Sequence, residues 1–151
     1  MDSPIEPGET ALLVVDMQNG FCDPQGAMAR AGLNYEPQNL IIPAVKELVQ
    51  TCRKAGIRVL WSLQKHYPDD VTRKRRRIRS HLAKLGAYPC LKDTWDAELV
   101  AQLKHEVMPG DDVLDKHRSS CFYNTTLRNV EIFYGTVVAL EELKERIGAA
   151  G

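Results

Sequence analysis

Residues 11–16 read as a first strand, an apolar run that stops on a carboxylate, Asp16, before a polar, Gly-containing stretch reaching about Glu36. Such a run predicts a strand buried on both faces of a parallel sheet, and the polar stretch predicts loop. Leu40, Ile41, Ala44, Val45, Leu48, Val49 and Cys52 recur at three- and four-residue spacing, which predicts an amphipathic helix. Pro43 fits its first turn and Gly56 is placed to end it. Residues 57–63 read as a second strand. Strand, crossover helix and strand make a right-handed unit, so these strands should run parallel.

A further polar stretch, residues 64–70, lies at the carboxyl end of the second strand and leads into Arg73-Lys74-Arg75-Arg76-Arg77-Ile78-Arg79. From Trp95 to Val107 the pattern predicts a second helix with Leu99, Leu103 and Val107 on one face. Thr94 is its expected N-cap, Asp96 and Glu98 suit the positive end of its dipole, and Pro109-Gly110 ends it. Residues 112–115 predict a short third strand that brings Lys116 to the same carboxyl edge as Asp16. Residues 132–138 read either as a fourth strand or as the tail of a helix entering an extended piece. Residues 140–147 read as a short final helix ending at Gly148. No internal repeat or low-complexity segment interrupts this order, which is that of one α/β domain over residues 1–151.

Lys plus Arg and Asp plus Glu both number 20, giving a formal net charge of zero. No overall field steers such a chain towards nucleic acid or an anionic membrane. The basic run 73–79 has no interleaved aromatics and reads as a solvated surface segment. Met1 to Glu9 is acidic and Pro-rich, without the apolar core of a signal peptide, and the longest apolar runs fall far short of a membrane span. The four cysteines, Cys22, Cys52, Cys90 and Cys121, are scattered with no CxxC pair. That spacing fits free thiols in a reducing cytoplasm better than disulfides or a zinc site.

In an open α/β sheet the chemistry sits just beyond the carboxyl ends of the strands, where Asp16 and Lys116 are expected. Spacing alone also allows a turn-capping role for Asp16, and on general grounds favours a plain salt bridge between the two. The wording around them says more. Leu13-Val14-Val15-Asp16-Met17-Gln18-Asn19-Gly20-Phe21-Cys22, Thr94-Trp95-Asp96-Ala97-Glu98-Leu99 and Asp115-Lys116-His117-Arg118-Ser119-Ser120-Cys121-Phe122 resemble the isochorismatase-like cysteine hydrolases. The likeness continues through Tyr123, Thr125 and Leu127 and covers residues from about 8 to 128. It is greater to the amidohydrolases of that family, which act on ureido, carbamoyl or carboxamide substrates, than to isochorismatase itself. The resemblance implies a Rossmann-like three-layer fold around a parallel sheet, a small amide or ureido substrate, no cofactor, and an Asp-Lys-Cys triad. Asp16 would take the thiol proton and Lys116 would stabilise the thiolate. The sulfur would attack a carbonyl carbon, expel ammonia or an amine, and leave an acyl-enzyme for water to hydrolyse. Backbone N–H groups would hold the oxyanion. Phe21 stands where the family places an aromatic wall of the substrate pocket; ordinary packing is its alternative role.

The chain departs from the family where the nucleophile belongs. In the family, the lysine segment leads to another strand and a Gly-Val-x-Thr-Asn-x-Cys-like turn, with further strands behind it. Here Thr126-Leu127-Arg128-Asn129-Val130 passes straight to Glu131-Ile132-Phe133-Tyr134-Gly135-Thr136-Val137-Val138, which resembles the family's closing segment. An internal block carrying the nucleophile is therefore expected to be missing, and the sheet to be cut to three or four strands. Cys121, five residues after Lys116, and Cys22, six after Asp16, are the candidate substitutes, but neither follows the expected turn. Cys52 and Cys90 read as structural. The zinc loop of the nicotinamidase branch corresponds to Gln64-Lys65-His66-Tyr67-Pro68, where Gln is a poor ligand and no second His follows within a few residues, while His81, His105 and His117 are too scattered, so no metal is expected. Two alternatives stand beside catalysis by this chain: a non-catalytic remnant that binds a small amide, a carboxylate or a partner subunit, and isochorismatase-type vinyl-ether hydrolysis using the Asp and Lys alone. No GxGxxG follows the first strand, which disfavours a dinucleotide site, and Asp16 lacks the acidic neighbour a Mg²⁺-dependent receiver domain needs. A shortened sheet leaves an open edge, from which a homo-oligomer is expected.

Overall fold

The computed structural model describes residues 5–67, 88–117, 121 and 140–148. The basic run 73–79 and residues 132–138 lie outside them. Strands β1 (Ala11–Val15), β2 (Arg58–Gln64) and β3 (Asp112–Lys116) form a parallel sheet in the order β1-β2-β3. The expected α/β architecture is therefore present. Ala11 pairs with Arg58 and Val15 with Ser62, while Leu60 pairs with Asp112 and Gln64 with Lys116. This register sets the carboxyl ends of all the described strands at one edge.

Among the described strands, only β2 is buried along nearly its whole length. The apolar run of β1 is not buried on both faces: Val14 is enclosed, but Ala11 and Val15 are exposed. The reason is position, since β1 lies at the rim of the described sheet and β2 at its centre. The stretch after β1 is not plain loop. It contains two helical turns, α1 (Asn19–Cys22) and α2 (Ala27–Arg30). The amphipathic segment divides into α3 (Glu36–Leu40) and α4 (Ile42–Lys54), with Pro43 in the first turn of α4 and Gly56 at φ +75° behind its end. Leu40 and Ile41, counted on the apolar face by spacing, are exposed at that junction, while Ile42, Val49 and Cys52 are buried. Ile42 and Val49 join Val14, Trp61 and Leu103 in the apolar core between α4 and the sheet.

Residues 95–107 do not form the expected continuous helix. A 3-10 turn, Trp95–Ala97, is followed by extended chain and then α5 (Ala101–Lys104). Leu99 bridges Gln18, the Asn19 amide donates to the Glu98 carbonyl at 2.9 Å, and the Val100 amide donates to the Met17 carbonyl at 3.1 Å. Pairing with the segment after β1 thus outcompetes helical propensity. Thr94 does not cap through its side chain; its hydroxyl donates to the Leu91 carbonyl instead. Asp96 pairs with Arg30 at 2.6 Å rather than serving a dipole. Leu99 and Leu103 are nevertheless buried, as their apolar character requires.

The entry to β3 is fixed by Asp111. Its carboxylate accepts from Arg53 at the end of α4 (3.0 and 2.5 Å), from the Trp61 indole (2.9 Å) and from the Met108 amide (3.0 Å). The final helix, α6 (Leu140–Gly148), falls where the sequence places it and lies against α4. Among the described residues no helix is long and apolar enough to cross a membrane.

Candidate functional site

Asp16 follows the last residue of β1 and adopts φ +57°, a left-handed conformation that Asp tolerates better than most residues. Its amide still donates to the Ser62 carbonyl at 2.9 Å, and its own carbonyl accepts from the Gln18 amide at 2.7 Å. The chain therefore finishes its sheet pairing and turns sharply at Asp16. Strained backbone of this kind persists where the surroundings over-determine it, commonly at functional positions.

Lys116 ends β3 and is almost wholly enclosed, at 2% exposure. Its Nζ donates to Asp16 Oδ2 at 2.7 Å and to Gln64 Oε1 at 3.0 Å. Two residues 100 positions apart are thus joined across the end of β2. Burial pushes the Asp16 carboxyl above its ordinary range, and this outweighs the opposing pull of the Lys116 ammonium. Asp16 Oδ1 is buried and makes no hydrogen bond among the described residues. A carboxylate with raised proton affinity beside a held cation can accept and return a proton, while the cation stabilises negative charge developing nearby.

Two glutamines that spacing did not single out build the floor of the site. Gln18 is fully buried; its Nε2 donates to the carbonyls of Gln64 (2.9 Å) and Ala97 (2.7 Å), and its Oε1 accepts from the Gln64 amide (2.7 Å). Gln64 Nε2 donates to the Lys116 carbonyl at 3.1 Å and lies 3.3 Å from His66 Nδ1. The sequence signal, visible only in retrospect, is an amide side chain three residues beyond β1 and another at the last position of β2.

The thiols fall into place unevenly. Cys22 is buried, with Sγ 4.0 Å from the Asp16 carbonyl oxygen. Burial, with Asp16 and Asp23 nearby, pushes its thiol up to about 11. Cys90, which spacing assigned to structure alone, is also drawn to the site. It sits at φ +59°, fully enclosed, close enough to Asp16 and Lys116 to feel both charges. Its sulfur occupies the space a side chain on Gly20 would need: a Cβ there would lie 3.1 Å from it. Burial foremost, and then the neighbouring carboxylates, drive the Cys90 thiol strongly upward. Cys121 is buried, and its immediate chain neighbours lie outside the described residues. Cys52 is enclosed on α4, away from the pair. Phe21 is half-buried and packs against the apolar core. Among the described residues no group of three or more His, Cys, Asp or Glu side chains could hold a metal ion.

Known proteins share this fold. The isochorismatase domain model matches residues 10–130. The ureidoacrylate amidohydrolase RutB of Caulobacter segnis is 31% identical over 139 residues, a match covering 84% of this chain and 57% of that enzyme. Among solved structures, a cysteine hydrolase from Pseudomonas syringae pv. phaseolicola 1448A is similar with a TM-score of 0.60 at 25% identity, over 95% of this chain and 57% of the other. N-carbamoylsarcosine amidase from Thermoplasma acidophilum is similar with a TM-score of 0.53, also at 25% identity, over 79% of this chain and 58% of that one. The chain thus spans little more than half the length of the relatives it matches. Parallel strands, an acid and a lysine joined at their carboxyl edge, and a family match over most of the sequence lead to one conclusion: this chain belongs to the isochorismatase domain family.

Proposed function

We propose that the chain carries the acid–cation part of a site for hydrolysing the C–N bond of small amide, ureido or carbamoyl compounds, with Asp16 as base and Lys116 as charge stabiliser. The observation that carries this reading is the 2.7 Å contact of a buried lysine with a carboxylate at the end of a parallel sheet. The similarity to a ureidoacrylate amidohydrolase and to an N-carbamoylsarcosine amidase supports a substrate of that class. Phe21, half-buried in α1, is the proposed aromatic wall.

The state of the thiols favours binding without turnover by this chain. Nucleophilic attack needs a thiolate, and burial opposes thiolate formation at both Cys22 and Cys90. Cys121 is the remaining substitute for the triad sulfur. In this reading Lys116 holds a carbonyl or carboxylate oxygen and the bond stays intact.

Ammonia release from N-carbamoylglycine and simple carboxamides, measured on protein of verified intact mass, separates the readings. The expected result is ligand binding, lost in Lys116→Ala, with no ammonia released. Release abolished by Cys121→Ser would instead make this chain a complete hydrolase with Cys121 as its nucleophile. Absence of binding and release together would refute the proposal.

A further inference from the structure

We propose that Gln64 is the positioning residue of this site: it holds the Lys116 ammonium on Asp16 and is itself held by Gln18. The inference rests on the reading of Asp16 and Lys116 as the functional pair. A lysine ammonium is a point charge with three rotatable donors on a flexible stem, so one ion pair leaves its position loosely defined. Here Nζ has two acceptors on separate elements, Asp16 Oδ2 at 2.7 Å and Gln64 Oε1 at 3.0 Å. Together they aim the ammonium across the strand ends.

The orientation of the Gln64 amide follows from its partners. Nε2 donates to the Lys116 carbonyl at 3.1 Å, so Oε1 is the atom left to face Nζ. A flipped amide would set donor against donor at Nζ and acceptor against acceptor at the carbonyl. Gln64 therefore grips both the main chain and the side chain of the same lysine. Its backbone is clamped on both sides by the fully buried Gln18 side chain, at 2.7 and 2.9 Å. Gln64 is 4% exposed and Lys116 2%, so these bonds act in a low-dielectric interior, where a bond to a charged donor is stronger than a neutral one. The choice of an amide has a chemical consequence. A second carboxylate here would compete with Asp16 for the cation; a neutral amide orients the ammonium and leaves its charge to Asp16 and to the ligand.

The test reads the titration of the Asp16 carboxyl carbon by ¹³C NMR in the full chain, which requires no turnover. Lys116→Met is expected to move the Asp16 midpoint upward, because it removes the favourable cation. Gln64→Met is expected to move it the same way by about one pH unit, because the ammonium is no longer held in place. Gln64→Asn, shorter by a methylene, should behave like Gln64→Met and carries the test if that variant does not fold. In a Lys116→Met background neither Gln64 substitution should shift the midpoint further. An unmoved midpoint in the Gln64 variants, or the same shift without Lys116, would overturn the inference, since a merely structural glutamine would not act through the lysine. A midpoint unmoved by Lys116→Met itself would instead remove the functional pair on which the inference rests.

Discussion

Asp16 carries opposed tendencies: burial raises its proton affinity and Lys116 lowers it, with burial the larger. A carboxyl raised in this way gives the folded state an advantage that is complete below its unfolded value and lost as pH rises through the folded one. Ionised Asp16 therefore costs stability at neutral pH, a cost consistent with a group kept for chemistry. The loop that presents it depends on one small residue. A Cβ on Gly26 would lie 2.1 Å from the Asn19 carbonyl oxygen, a backbone atom that cannot move aside cheaply. Gly26→Ala is expected to destabilise the chain by about 1–3 kcal/mol in urea denaturation, and an unchanged midpoint would show that the loop accommodates the methyl group. At this scale the sequence pointed to the meeting of Asp16 with Lys116 because their neighbours form recognisable motifs. It hid Gln18, Gln64 and Cys90, since nothing local to an amide or a thiol discloses a partner 46 or 79 positions away.

Elements with their own periodicity were legible, and those decided by tertiary pairing were not. The positions of β2, β3 and the final helix follow from pattern, as does the parallel crossover through α4. The segment 95–107 has helical spacing of its leucines, yet Leu99 is taken into a bridge with Gln18. Where α4 meets β3, Asp111 forms the main polar tie. Burial alone would raise its carboxyl, but Arg53, the Met108 amide and the Trp61 indole together bring it to about 2. A depressed carboxyl contributes stability that is present above its unfolded value, near 4, and lost as pH falls towards the folded one. Arg53→Met should therefore be less stable than the parent above about pH 4, with the difference shrinking as pH approaches about 2. Urea titrations across that range check it, and a pH-independent difference would assign the loss to packing.

On the scale of the molecule, β1 and β3 are the outer strands among the described residues, and Val15 and Val113 on them are 45% and 46% exposed. Unpaired strand edges bearing apolar side chains invite association. Size-exclusion chromatography is expected to show a species larger than one chain, and a compact stable monomer would contradict this. The missing-block expectation concerns residues 128–138, which lie outside the description, so the sequence alone speaks there. If the joined Asp16 and Lys116 form the functional centre, calorimetric titration with N-carbamoylglycine is the decisive experiment. Measurable binding is expected, weakened at least tenfold, about 1.4 kcal/mol, by Lys116→Ala and unchanged by Lys144→Ala on the final helix. Equal affinity in the parent and Lys116→Ala, or no binding by the parent, would contradict it.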